Sequence, residues 1–241
     1  MNILAMDTSG PVCGVCVLQD QTIRCEITVQ NKLTHSANLM PMIRQALESA
    51  GMQLETLDKL AVVTGPGSFT GVRIGVSTAR GLAAGSGLRC VAVDALEALA
   101  AGTGAFDGLI CPIQDARAGQ VYGTAFTRKG PEEALTRLMA DEPLKLEEFV
   151  EKARQLATEN ALPGRFLFTG DGMPVHREKL TTLLGGQAIY APAPFAFLRP
   201  SVVAALAAEK EPVEGTDLLP FYLRPPSAEK NRRLLEAMQH V

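Results

Sequence analysis

Between an apolar run at residues 60–63 and a helical pattern, the chain places Gly65, Pro66, Gly67, Gly71 and Gly75 around Ser68, Phe69 and Thr70. That order reads as strand, tight loop and helix: the glycines supply the freedom of the turn, and Ser68 or Thr70 can cap the helix. The same layout holds phosphate in many α/β proteins, where glycines let the backbone approach an anion and a helix N-terminus offers free N–H groups. The known phosphate loops are not matched in full. Val72 and Arg73 stand after Gly71 where a Walker loop needs its Lys-Ser/Thr pair, and Thr70 stands where a dinucleotide fingerprint has its third glycine. A phosphate cradle and a structural turn both stay open.

Gly71, Gly75, Ala79 and Ala83 recur every fourth residue and form one stripe along the helix that begins there. Each interior glycine costs about 1 kcal/mol relative to alanine, so the stripe implies that something comes close to that face. Small residues at this spacing let helix backbones approach tightly. The contact is either packing within the domain or a subunit interface.

The chain of 241 residues, 46% hydrophobic, fits two modest domains or one large one with a real core. The N-terminus lacks a basic start, and Asp7 interrupts its apolar run, so no signal peptide is expected and a cytoplasmic location is. No stretch is apolar enough to span a bilayer, so no membrane association is expected. The five cysteines are read as reduced thiols. Cys13 and Cys16 match C-x-x-C, but on a strand residues three apart point to opposite faces, so the sulfurs should diverge.

Residues 2–6 read as a buried strand, 7–11 as a turn, and 14–18 as the returning strand of a hairpin, with a third strand over 23–29. A helix comes next with apolar Leu39, Met40, Ile43, Ala46, Leu47 and Ala50, ended by Gly51. Pro41 fits best in a first turn, which puts the helix start nearer Met40 than His35. Strands are expected at 60–63 and 89–93, and a helix at 94–100. The small residues at 101–104 mark a boundary between a lobe over 1–104 and a second over 105–241, with the last stretch of about 25 residues packing back on the first lobe or disordered.

Beyond that boundary the opening recurs as strand 109–113, turn 115–119 and returning strand 120–126, which suggests an internal duplication. Two such lobes give the expected fold class: α/β, with duplicated mixed-sheet domains in the two-lobed actin-like/sugar-kinase/Hsp70 (ASKHA) arrangement. In that superfamily ATP lies between the lobes, with an aspartate from each hairpin near metal and phosphates. Asp7 and Asp115 hold those places, and Asp171 between Gly170 and Gly172 resembles the glycine turn over the adenosine.

A narrower resemblance rests on Asp7-Thr8-Ser9, on His35-Ser36 with Leu39 and Pro41, on the glycine segment from Gly65 to Gly75, on Asp115-Ala116-Arg117, and on Pro220-Phe221-Tyr222-Leu223-Arg224. Together these motifs, spread over nearly the whole chain, resemble the bacterial TsaB (YeaZ) family. The resemblance implies a non-catalytic subunit that binds the TsaD paralogue, with the ATPase TsaE as a third component, in threonylcarbamoylation of the adenosine 3′ of the anticodon. The partner face it implies combines Ser36, Leu39, Met40, Ile43 and Leu47 with Gly71, Gly75, Ala79 and Ala83, and in isolation the chain is expected to form a homodimer. A TsaD-type site holds metal with two histidines four residues apart, at positions that correspond here to Ala95 and Leu99.

The residues themselves offer no catalytic set. His35, His176 and His240 are scattered, and Ser68, with no histidine nearby, has a sufficient role as a cap. His35 suits a cap or surface position, or a pair with a partner's carboxylate. No metal or cofactor is expected, although weak nucleotide binding at Asp7, Asp115 and Asp171 stays open. Arg117 there either contacts phosphate or fills the cleft. The competing reading is an ATP-dependent phosphotransferase of the sugar-kinase or acetate-kinase class.

Net charge is −3, with no basic stripe to neutralise phosphates, so contact with tRNA is expected only through a partner. The isolated protein should bind tRNA weakly near physiological salt. Tight binding in a filter or anisotropy titration would overturn that expectation.

Overall fold

Alternation along residues 2–7 feeds two cores from one strand: Leu4 and Met6 enter one apolar cluster, Ile3 and Ala5 the other. A computed structural model describes residues 1–31, 33–130 and 132–224. The first lobe comprises β1 (Asn2–Asp7), β2 (Cys13–Gln19), β3 (Thr22–Val29), α1 (His35–Ala50), β4 (Lys59–Gly65), α2 (Phe69–Ser86), β5 (Arg89–Asp94) and α3 (Ala95–Gly102). Its sheet runs β3-β2-β1-β4-β5, antiparallel through the hairpins and parallel from β1 to β5.

The second lobe is built from β6 (Phe106–Asp115), β7 (Gln120–Gly123), β8 (Phe126–Arg128), β9 (Thr136–Arg137), β10 (Glu142–Lys145), α4 (Leu146–Glu159), β11 (Phe166–Thr169), α5 (Gly172–Leu184) and β12 (Ala188–Tyr190). The main path of its sheet, β10-β7-β6-β11-β12, repeats the first in both order and direction. The duplication expected from the two opening hairpins is therefore present at the level of topology. β8 and β9 add a short antiparallel flap off this path.

Layering obeys the same alternation. α1 and α2 cover one face of the first sheet through Leu39, Ile43, Val72 and Val76. α3 and α6 (Pro200–Ala208) cover the other through Leu96, Leu99, Val203 and Ala207. α3 also reaches the second sheet, where Ala100 packs with Ile110 and Phe126, so this helix is wedged between the lobes. No described helix is long and apolar enough to cross a membrane. The chain returns to the first lobe from α6 onward. Glu26 on β3 accepts hydrogen bonds from Arg199, from the Ser201 amide and from its hydroxyl at the start of α6, while Lys59 donates to the carbonyls of Ala208 and Lys210 at its end. An anion at the N-terminus and a cation at the C-terminus both complement the helix dipole. Beyond α6, Val213 bridges to Cys90, Leu218 is buried in the first core, and the Phe221 amide donates to the Thr64 carbonyl at 2.7 Å. The rest of the expected tail, residues 225–241, lies outside the described residues.

Two expectations are corrected. α1 begins at His35, not near Met40, and carries Pro41 in its interior. Both Pro41 and Ala37 are exposed, so water can replace the missing N–H at the Ala37 carbonyl. The small-residue stripe faces inward. Ala79 and Ala83 are buried, and side chains at Gly71 and Gly75 would collide with the Thr8 carbonyl and the Thr8 hydroxyl. Close approach is what the glycines serve, but the approaching group is the chain's own first turn. The Cys13 and Cys16 side chains do diverge, into opposite clusters, and burial pushes their thiols up to about 11 and about 12.

Gly71→Ala should therefore destabilise the fold itself, by about 2–3 kcal/mol from overpacking and a Tm loss on the order of 5–10 °C. An unchanged Tm would mean that the first turn does not sit on this helix.

Candidate functional site

Both opening strands end on an aspartate at the mouth between the lobes, and the loops beyond them frame a cleft of about 520 Å³. The glycine loop before α2 forms one wall, the 115–117 turn with Asp171 the opposite one, and residues 221–224 line it as well.

Every glycine of the loop is matched to a neighbour in the chain. A side chain at Gly65 would collide with the Phe221 carbonyl, and one at Gly67 with the Ser9 carbonyl. Both residues also have positive φ, which glycine adopts without strain. The Ser68 amide donates to the Ser9 carbonyl at 2.7 Å, and its hydroxyl caps α2 by accepting from the Gly71 amide at 3.3 Å. Of the two readings of this segment, the structural turn accounts for its glycines: backbone carbonyls of the same chain lie where a Cβ would be.

The three aspartates are brought together, in different environments. Asp7 is buried, and burial pushes its carboxyl above the usual range, although the Ser9 amide at 2.8 Å and the charge of His35 oppose this. Asp171 is raised to about 6, first by burial and further by the charges of Asp115 and Asp7, against a stabilising bond from the Asp115 amide at 3.3 Å. Asp115 accepts from the Arg117 amide at 2.9 Å and lies 3.7 Å from His176 Nε2. The Arg117 side chain is 90% exposed, 3.7 Å from Asp115, so it reaches into solvent and does not fill the cleft. Arg117 and Ala118 both have positive φ, a strained turn for residues with a Cβ.

His35 joins this region to α1: its Nε2 lies 2.9 Å from the Gly10 carbonyl. Ala95 and Leu99, on α3, are buried in the apolar wedge. Of the residues expected at a partner face, Ser36 and Met40 are exposed and Leu47 is half-buried, whereas Leu39, Ile43 and the four stripe residues are covered by the chain itself. Those six face the interior of the chain in this fold. The outward surface of the adjacent helices consists instead of Met40, Pro41 and Arg44 on α1 with Arg73, Ser77 and Gly81 on α2.

Other residues of the cleft carry no readable role in the sequence. Thr8 locks onto α2 by donating from its hydroxyl to the Gly71 carbonyl at 2.7 Å. Tyr222 packs against Phe69 at 4.8 Å between centroids, and Arg224 reaches across to Gln120 and Tyr122. Such pairings join positions far apart in the chain, and no local pattern announces them.

A model of the family described as "TsaD: tRNA N6-adenosine threonylcarbamoyltransferase" matches residues 25–219. The tRNA threonylcarbamoyladenosine biosynthesis protein TsaB of Bacillus subtilis is 37% identical over 95% of this chain and 96% of its own length. The protein of the same name from Escherichia coli is 36% identical over 53% of this chain and 56% of its own. Among solved structures, YeaZ from Pseudomonas aeruginosa superimposes with a TM-score of 0.72 at 25% identity, covering 92% of this chain and 99% of that one.

Asp171 gives the cleft a pH signature. Its folded value of about 6 lies above the 3.8 of a free carboxyl, so its contribution is fully present below pH 4 and is lost as pH rises through about 6. Asp171→Asn, which can still accept from the Asp115 amide, should remove that decline and exceed the parent at pH 8 by on the order of 2 kcal/mol. Parallel Tm curves for both proteins from pH 4 to pH 8 would refute this.

Proposed function

The chain belongs to the TsaB (YeaZ) family, and from that premise we propose that it is a non-catalytic subunit of tRNA threonylcarbamoyladenosine (t6A) synthesis, an activator that docks on the TsaD paralogue. The observation that carries this reading is the filled glycine loop. Its close-approach positions are taken by the carbonyls of Thr8, Ser9 and Phe221, which gives the loop's glycines a structural role that calls for no ligand. Two further features agree. Ala95 and Leu99 belong to the apolar wedge between the lobes, a place without metal-binding chemistry, and the strained 115–119 turn presents Ala116, Arg117 and Ala118 where phosphate turns favour glycine and hydroxyls.

Docking uses the outward surface of α1 and α2. Met40 is 47% exposed on a helix whose other large apolar residues are mostly buried, and on the adjoining α2 Ser77 and Gly81 are exposed and present little side-chain bulk. A helix pair from a homologous subunit can pack closely against such a surface, and in isolation a second copy takes the same place. TsaE joins through the assembled complex, the tRNA is held by the partner, and no cofactor is required here. Activation without chemistry requires only that this surface bind one conformation of TsaD more tightly than another.

Met40→Glu combined with Ser77→Arg should weaken co-elution with TsaD at least tenfold and abolish t6A formation in a reconstituted system. Since both sites are exposed, Tm should move little. Asp115→Asn should leave modification intact. The opposite pattern, with Asp115 essential, ATP bound by the isolated chain and the helix surface dispensable, would establish the phosphotransferase reading.

A further inference from the structure

The two hairpins and α3 border a second, much smaller pocket of about 10 Å³. Asp7 and Ser9 line it from the first lobe, Gln114 and Asp171 from the second, and Leu99 and Phe197 close it with apolar surface. Ser9 and Gln114 are 1% and 4% exposed, and neither Ser9 Oγ nor Gln114 Oε1 has a hydrogen-bonding partner among the described residues. The Ser9 hydroxyl dipole lies close enough to Asp7 to help hold that carboxyl down, yet without the geometry of a hydrogen bond. Leaving two such buried oxygens unpaired is costly, and here their residues line one space, one from each lobe.

We infer that this cavity is a binding site for a single buried water, through which Ser9 of the first lobe and Gln114 of the second are joined. Size and lining both select water. The volume is about that of one water probe, and a buried water needs two to four polar partners. It can accept from the Ser9 hydroxyl and donate to Gln114 Oε1 and to a carboxylate of Asp7 or Asp171. A bound metal ion fits less well: hard cations take about six or more oxygen ligands, whereas Leu99 and Phe197 occupy the remaining directions. Among the described residues there is no cluster of three or more His, Cys, Asp or Glu side chains that could hold a metal. The water makes the junction between the lobes polar and geometrically specific beneath a wedge that is otherwise apolar.

A high-resolution crystal structure of the full chain, together with a double-mutant cycle, tests this. A density peak within hydrogen-bonding distance of both Ser9 Oγ and Gln114 Oε1 is expected. Ser9→Ala and Gln114→Met should each lower Tm, and the double variant should lose less than their sum, because either change alone already breaks the shared bridge. An empty cavity would overturn the proposal, as would a peak with about six contacts of metal–oxygen length or strictly additive Tm losses. Where a variant fails to fold, the parent crystal structure alone decides the point.

Discussion

The seating of the first turn on α2 is the contact on which the rest of the structure depends. The Thr8 carbonyl and hydroxyl occupy the space over Gly71 and Gly75, the Ser9 carbonyl that over Gly67, and the Thr8 hydroxyl donates to the Gly71 carbonyl. Two helical glycines sacrifice about 2 kcal/mol of propensity so that backbone can meet backbone. The gain is positional: the end of β1, the glycine loop and the start of α2 become one rigid corner. Asp7 is thereby placed at the lobe junction, and α2 is fixed beside α1. Had Gly71 been alanine, the turn would have had to lift away, and the cleft with it.

The second lobe shows the same topology with the turn after its aspartate held differently. Its sheet repeats the order and sense of the first, and Asp115 ends β6 as Asp7 ends β1. Its turn, however, is held locally: the Ala116 amide bonds to the Gln120 carbonyl, and the Gln120 amide to the Arg117 carbonyl, both at 3.0 Å. Positive φ at Arg117 and Ala118 is tolerated there because the side chains project outward. Duplication thus gave the two lobes one architecture, and the residues after each aspartate gave them different freedom.

Much of this is legible in the chain because it rests on local pattern. Apolar runs between turn residues locate β1, β2, β4, β5 and β6 to within a few residues, Ser68 is readable as a cap, and the spacing of Cys13 and Cys16 is enough to separate their sulfurs. The stripe from Gly71 to Ala83 is equally visible, but its direction is not, since a small-residue face fits an internal turn as well as another subunit. Only the position of Thr8, more than sixty residues upstream, decides between them. Pro41 misleads for the opposite reason: propensity argues for a boundary, whereas the burial of Leu39 and Ile43 on one face outweighs one lost hydrogen bond on an exposed face. The returns of Phe221 and Arg224 to the cleft are long-range pairings with no periodic signal.

These features bear on how a two-lobed architecture of this kind could serve as the adapter proposed above. In a two-lobed fold the ligand usually sets the closure, because it bridges loops of both lobes. Here several contacts within the chain span the same gap: Phe221 rests on the glycine loop, Arg224 reaches to Gln120, α3 is wedged between the sheets, and Arg137 of the second lobe pairs with Asp94 at the end of β5. Each is weak when exposed, but together they tie the two lobes through contacts of the chain itself. The corner that seats Thr8 on Gly71 also holds α2 in place, and with it the outward surface of α1 and α2. The docking surface proposed above is thus held by the chain's own packing, which makes the adapter reading economical on physical grounds.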